Sequence, residues 1–226
     1  MEDINVKDVN YAHNDTSKPE RESRTLSLNV LKLDDDVQNL RRGAFARLIP
    51  VSDDETLAFL CLQAKIKGAK SVLELGTAIG VSAICLARAC PTATITTVEK
   101  NADFYAEALQ NVKNLGCDKQ VSCVFADAGE FLQNTDQKFD FIFMDSAKVQ
   151  YVKYLPHLKR VLTDGGIIFA DDVLLYGWVN GETPVPTKRK MLVQHVREYI
   201  DAVNADDDLT TSIIDVGNGV ALSVKN

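Results

Sequence analysis

Polar and apolar positions divide the chain into an unpatterned start and a regularly alternating body. Residues 1 to about 25 are rich in Asn, Asp, Ser, Arg and Glu and carry no apolar period, so the pattern predicts a frayed or extended tail. From Leu26 to Arg47 apolar residues recur loosely (Leu28, Leu31, Val37, Leu40, Phe45), as in one or two helices leading to Ile49-Pro50. The basic residues Arg41, Arg42 and Arg47 fall in this stretch and are expected on solvated helix faces. After Pro50, Ser52 followed by Glu55 reads as a capped helix start. Leu57, Leu60, Ala64 and Ile66 would give that helix its buried stripe, and Gly68 would end it.

From Ser71 onward short apolar runs alternate with helical periods. Strands are predicted at Val72–Leu75, Ala93–Val98, Val121–Phe125, Phe139–Met144 and Ile167–Ala170. Helices are predicted over Ser82–Cys90, Asn101–Leu115, around Glu130–Leu132 and over Tyr151–Leu162, the last ending near Gly165-Gly166. Such alternation implies βαβ units, a mostly parallel sheet and right-handed crossovers. The end differs. A Gly- and Pro-containing loop (Tyr176 to Pro186) leads to a helix over Lys188–Val203. Two strands follow, Thr210–Asp215 and Val220–Val224, joined through Gly217-Asn218-Gly219, a hairpin signal. The chain thus reads as a polar tail and helical extension over 1–48 and one α/β domain over 49–226, with seven strands and helices on both faces.

Composition narrows the class. A chain of 226 residues that is 46% hydrophobic can bury a sizeable core. No apolar run is long enough to span a bilayer and the N-terminus is polar, so no membrane association is expected. A net charge of -7 argues against a general nucleic-acid binder, though not against a local basic patch such as Lys188-Arg189-Lys190. The five cysteines are scattered and form no CxxC, which reads as small core residues of a cytoplasmic protein.

Candidate chemistry collects at the predicted strand ends, where open α/β sheets bind their ligands. The first strand runs into Glu74-Leu75-Gly76-Thr77-Ala78-Ile79-Gly80, whose glycines permit close backbone approach to a ligand, although the spacing is not GxGxxG. Glu99 ends the second strand, where an acid can accept from ribose hydroxyls or cap the next helix. Asp127-Ala128 follows the third, with an adenine amino group and a helix cap as equal alternatives. The fourth stops at Asp145, with Lys148 three residues on, and the fifth delivers Asp171-Asp172. If these two strands are neighbours, three carboxylates meet, and a hard divalent cation such as Mg²⁺ would relieve their repulsion. Lys148 could serve as a base only if its pKa were depressed. The histidines do not cluster, and none is assigned a role.

Together these residues resemble a known family. LELGTAIGVSA at 73–83, TVEKN at 97–101, FMDSAKVQY at 143–151 and DDVLLYGWV at 171–179 resemble class I S-adenosylmethionine-dependent O-methyltransferases. The likeness is strongest to the cation-dependent branch of catechol and caffeoyl-CoA O-methyltransferases. Within it, the TAIG loop, the AKVQY run and the closing GNGVALS are most similar to bacterial tRNA 5-hydroxyuridine methyltransferases. The resemblance implies a Rossmann-like doubly wound sheet with S-adenosylmethionine and Mg²⁺ as cofactors. It assigns Ser52, Glu74, Gly76, Thr77, Gly80 and Ser82 to the amino acid end of the donor, Glu99 to the ribose, and Asp127 with Ala128 to the adenine. Asp145, Asp171 and Asp172 match the metal positions, and Lys148 matches the lysine beside the acceptor hydroxyl. One departure stands out: the family usually has Asp-Asn where this chain has Asp171-Asp172. The implied acceptor is 5-hydroxyuridine in the tRNA anticodon loop or a small catechol, both offering vicinal oxygens. The implied assembly is a homodimer. A non-catalytic nucleotide-binding module is the reading from another class, and the strand-end acids with Lys148 count against it.

Overall fold

The computed structural model describes residues 35–226, so the predicted tail and the first part of the helical extension lie outside the described residues. Helix α1 (Asp35–Ala46) leads to α2 (Asp54–Lys67), and the alternating body follows. It comprises β1 (Ser71–Leu75), α3 (Val81–Ala89), β2 (Thr94–Glu99), α4 (Ala102–Asn114), β3 (Val121–Phe125), α5 (Ala128–Asn134) and β4 (Phe139–Met144). It continues with α6 (Tyr151–Val161), β5 (Leu162–Ala170), α7 (Lys190–Asn204), β6 (Leu209–Ile214) and β7 (Val220–Lys225).

The strands form one seven-stranded sheet in the order β3-β2-β1-β4-β5-β7-β6. β3 through β5 pair in parallel, and β7 enters antiparallel between β5 and β6. The order reverses between β1 and β4, so the crevice that doubly wound sheets offer to ligands opens there. Register fixes what reaches it. Leu75 pairs with both Val98 and Met144, and Met144 pairs with Ala170. Gly76, Glu99, Asp145 and Asp171 therefore emerge along one edge.

Side chains alternate across the sheet and bury two cores. On one face Val72, Phe141, Phe143 and Phe169 pack with Val37, Ala44, Leu57, Leu60, Ile84 and Val112 from α1 to α4. On the other, Leu73, Leu75, Ile142, Met144 and Ile168 pack with Leu132, Tyr151, Leu158, Val196 and Tyr199 from α5 to α7. No helix among the described residues is long and apolar enough to cross a membrane.

Three local expectations are corrected. Asp53, not Ser52, caps α2, because its carboxylate accepts from the Thr56 amide at 2.7 Å. Ile66 is 70% exposed rather than part of the buried stripe, since it falls two residues past Ala64 and so off the helix face of Leu57, Leu60 and Ala64. β5 begins at Leu162, ahead of the predicted start, and takes Gly165-Gly166 into the strand through a register shift opposite Phe139 and Phe141.

Candidate functional site

The Gly loop after β1 is packed against the acid after β4. Gly76 has φ +102°, and a Cβ built on it would lie 2.1 Å from the Asp145 carbonyl oxygen. Only glycine lets the two strand ends approach so closely. Below the loop, Glu74 is fully buried and accepts from the Thr97 hydroxyl, which contacts that of Thr77 at 2.5 Å. Its other oxygen has no hydrogen-bond partner of normal geometry among the described residues. Burial pushes the Glu74 carboxyl up to about 7, against the pull of the Ser82 and Thr97 hydroxyls. Gly80 (φ +89°) opens α3, whose first turn carries Ser82. Glu74 is thus support beneath the loop, while Ser52, Gly76, Thr77, Ala78, Ser82 and Asp145 line a narrow cleft above it.

Glu99 joins the loop to the end of β2. One carboxylate oxygen accepts from the Ala78 amide at 2.9 Å, the other from the amides of Lys100 and Asn101 at 3.0 and 2.8 Å. Asn101, not Glu99, caps α4. Asp127 caps α5 by accepting from the Gly129 amide at 2.9 Å, with Lys100 Nζ 3.5 Å away. Tyr154 lies beside Asp127 and Gly129, and burial raises its phenol to about 12.

The acids after β4 and β5 meet around Lys148, which sits in a 3₁₀ turn (Lys148–Gln150) rather than an α-helical one. Its Nζ lies 2.7 Å from Asp145 Oδ1 and 3.1 Å from Asp172 Oδ2. Tyr151 forms the floor. Its hydroxyl donates to the Met144 carbonyl at 2.9 Å, and its ring centroid is 5.8 Å from Lys148 Nζ. Asp171 is buried, with one oxygen accepting from the Asp172 amide at 2.7 Å. Burial, Asp172 and Asp145 push the Asp171 carboxyl well above the usual carboxylate range. Asp172 holds φ +60°, and Leu175 and Tyr176 also lie in the left-handed region at +47° and +60°. That unusual backbone is clamped from the β6–β7 turn, where the Gly219 carbonyl accepts from Val173 and the Asn218 carbonyl from Leu174 and Leu175.

The condition under which Lys148 could act as a base, a depressed pKa, is not met in the chain by itself. Burial alone would lower its pKa, but the carboxylates of Asp145 and Asp172 outweigh it and hold the ammonium well above its ordinary value. As the chain stands, Lys148 is a cation bridging two acids. The expected solvation of Arg41 is corrected: it is buried, against the segment that enters α2. Two further residues belong to the site. Asp53 is raised by burial and faces Asp172, and burial raises Tyr176, which feels Asp172 first among its charged neighbours.

The donor set suits a hard divalent cation in kind. Asp145 and Asp172 hold one ammonium between them, and the buried Asp171 carboxyl lies beside Asp172, all oxygen groups of the kind such a cation takes. Among the described residues no three acidic, histidine or cysteine side chains converge as a ready-made metal cage. Lys148 fills the gap between Asp145 and Asp172 and stands where a cation would sit.

Comparison with known proteins decides the family. The O-methyltransferase family profile matches residues 32–226. The chain belongs to the O-methyltransferase family. Caffeoyl-CoA O-methyltransferase of Populus kitakamiensis is 30% identical over 182 residues, spanning 77% of this chain and 76% of that protein. The structure of the O-methyltransferase TomG from Streptomyces achromogenes, in complex with SAM, superposes with a TM-score of 0.75 at 26% identity, covering 87% of this chain and 92% of that one. The O-methyltransferase from Bacillus cereus, in complex with SAH, superposes with a TM-score of 0.74 at 25% identity, covering 87% and 93%. This O-methyltransferase therefore takes its methyl group from S-adenosylmethionine on a Rossmann-like fold.

Proposed function

We propose that methyl transfer occurs at the Asp145–Lys148–Asp171–Asp172 cluster, onto one of two vicinal oxygens of the acceptor, with Mg²⁺ held by the three aspartates. The observation that carries this reading is the Lys148 ammonium held between Asp145 and Asp172, from two neighbouring strand ends, beside the cleft at the Gly loop. On the donor side, Ser52, Gly76, Thr77, Gly80 and Ser82 surround the methionine part, with Glu74 supporting from below. Glu99 receives the ribose hydroxyls, and Asp127 with Ala128 flanks the adenine. When bound, the cation supplies positive charge that lowers the pKa of the acceptor hydroxyl and a template that fixes its orientation. With Asp145 and Asp172 turned to that charge, the Lys148 ammonium would release a proton to solvent, and its neutral Nζ would then take the hydroxyl proton. Tyr151 keeps the Lys148 turn in place through Met144, and the buried surroundings exclude water, so rate comes from positioning and electrostatics.

We propose the 5-hydroxyl of 5-hydroxyuridine at the tRNA wobble position as the acceptor, its 4-carbonyl being the second oxygen. Supporting this are the sequence likeness and the basic run Lys188-Arg189-Lys190, which leads into α7, a helix that packs on the Lys148–Gln150 turn. A small catechol-type acceptor is the second reading, favoured by the acidic net charge of -7 and by the caffeoyl-CoA relative. Incubation with S-adenosylmethionine and hypomethoxylated tRNA, then digestion, should yield 5-methoxyuridine. No such product, together with methylation of a catechol, reverses the order. We also propose a homodimer, which light scattering should find at twice the 24.9 kDa chain mass; a monomer at working concentration contradicts it.

A further inference from the structure

Arg41 is the one basic residue among the described residues whose surface is almost wholly buried, at 8% exposed. Its guanidinium leaves α1 for the segment ahead of α2. Nη2 donates to the Ser52 carbonyl at 3.2 Å, Nη1 pairs with the Asp54 carboxylate, and the group lies 5.7 Å over the Phe45 ring. Nε is buried with no hydrogen-bond partner among the described residues. A long cationic side chain ordinarily extends its head into water. Burying it with one donor unused is unfavourable unless its other contacts have a task.

The segment it grips needs holding. Pro50, Val51 and Ser52 form one side of the cleft whose other side is Gly76, Ala78 and Ser82. They lie outside regular secondary structure and, among the described residues, make no backbone–backbone hydrogen bond. Below them Asp53 caps α2, and Val51 packs in the same core as Val37 and Ala44 of α1. Arg41 is the polar link between that docked helix and the cleft.

We propose that Arg41 is a positioning residue that latches Pro50–Ser52 over the donor cleft, so that α1 sets how firmly S-adenosylmethionine is held. The inference rests on the reading of this cleft as the methionine end of the donor site. A protein whose competent state is only partly populated binds with an affinity reduced by that fraction. Losing the latch therefore weakens donor binding without altering the groups that touch the donor.

The test is calorimetric titration of the full chain with S-adenosylhomocysteine, alongside hydrogen exchange of the 50–53 backbone without ligand. Arg41→Ala should raise Kd about tenfold, as losing hydrogen bonds to a charged group implies, and should speed exchange at 51–53. Arg41→Lys should fall between, because one ammonium can serve Ser52 or Asp54 but lacks the fork that reaches both. Asp54→Asn, changed at the half-exposed end of the pair, should move both readouts the same way by less. A folded Arg41→Ala protein with Kd within about twofold of wild type overturns the latch. If that variant does not fold, unchanged Kd and exchange in Asp54→Asn overturn it. Ser82→Leu, which fills the cleft, separates the two readings: unchanged affinity there defeats the donor-site assignment itself.

Discussion

Gly76→Ala attacks the closest approach in the site. The added methyl would sit 2.1 Å from the Asp145 carbonyl oxygen and 2.9 Å from its carbonyl carbon. Neither atom can yield easily, because the Asp145 amide donates to Leu75 and the neighbouring Asp171 amide to Met144, both at 3.0 Å. Holding a non-glycine residue at φ +102° adds strain of about 1–3 kcal/mol. Forcing the strand ends apart adds about 1–3 kcal/mol more. A loss of about 4 kcal/mol should lower Tm by roughly 8–16 °C in a domain of this size, and S-adenosylhomocysteine affinity should fall with it. Gly43→Ala is the control, since nothing among the described residues lies within 4 Å of its added Cβ and the position is inside α1. It should stabilise by about 0.5–1 kcal/mol. Thermal unfolding followed by circular dichroism reads both. A Gly76→Ala protein within about 2 °C of wild type, with unchanged ligand affinity, would refute the close-approach reasoning.

Three further outcomes follow from the buried charges and the strained turn. Glu74 has its folded pKa raised to about 7, so folding favours its proton and its contribution is lost as pH rises from the unfolded value toward 7. Glu74→Gln should therefore gain on wild type by up to about 3 kcal/mol at pH 8 and gain nothing at pH 4, by denaturant melts; a pH-independent difference contradicts this. Lys148→Met strands Asp145 and Asp172 without their cation and should lose about 3 kcal/mol at pH 8 in metal-free buffer, with turnover down at least about a hundredfold. Gly219→Ala would place a methyl 2.3 Å from Leu174 Cγ and 2.7 Å from its amide. It should disturb the segment carrying Asp172 and weaken Mg²⁺ binding in titration calorimetry; Mg²⁺ affinity equal to wild type counts against the clamp.

The strand ends were legible because parallel register turns sequence order into spatial order. An acid that stops an apolar run, as at Asp145 or Asp171, must arrive at the same edge as its neighbour once β4 and β5 pair. The Gly loop was legible for the same reason, but its contact with the Asp145 carbonyl was not, because the periodicity of β1 does not say how near β4 comes. Asp127 and Glu99 had two readings each. The structure shows the backbone bonds both make, and Asp127 is the cap of α5. The charge of Lys148 was illegible, since its pKa depends on two carboxylates brought from different loops. The burial of Arg41 was illegible because the loose apolar pattern of α1 conceals that the Ser52–Asp54 segment closes on one of its polar positions. Tyr176 and Asp53 carried no signal at all, as each gains its place only when the β6–β7 turn and α2 close around the Asp171-Asp172 loop.

Cation dependence is the claim on which the acceptor chemistry stands. Methyl transfer from S-adenosylmethionine should cease in excess EDTA and return on adding Mg²⁺. Asp145→Ala and Asp171→Ala should not recover at the same Mg²⁺ concentration. Full activity of both variants in excess EDTA would contradict the assignment of these aspartates to a metal.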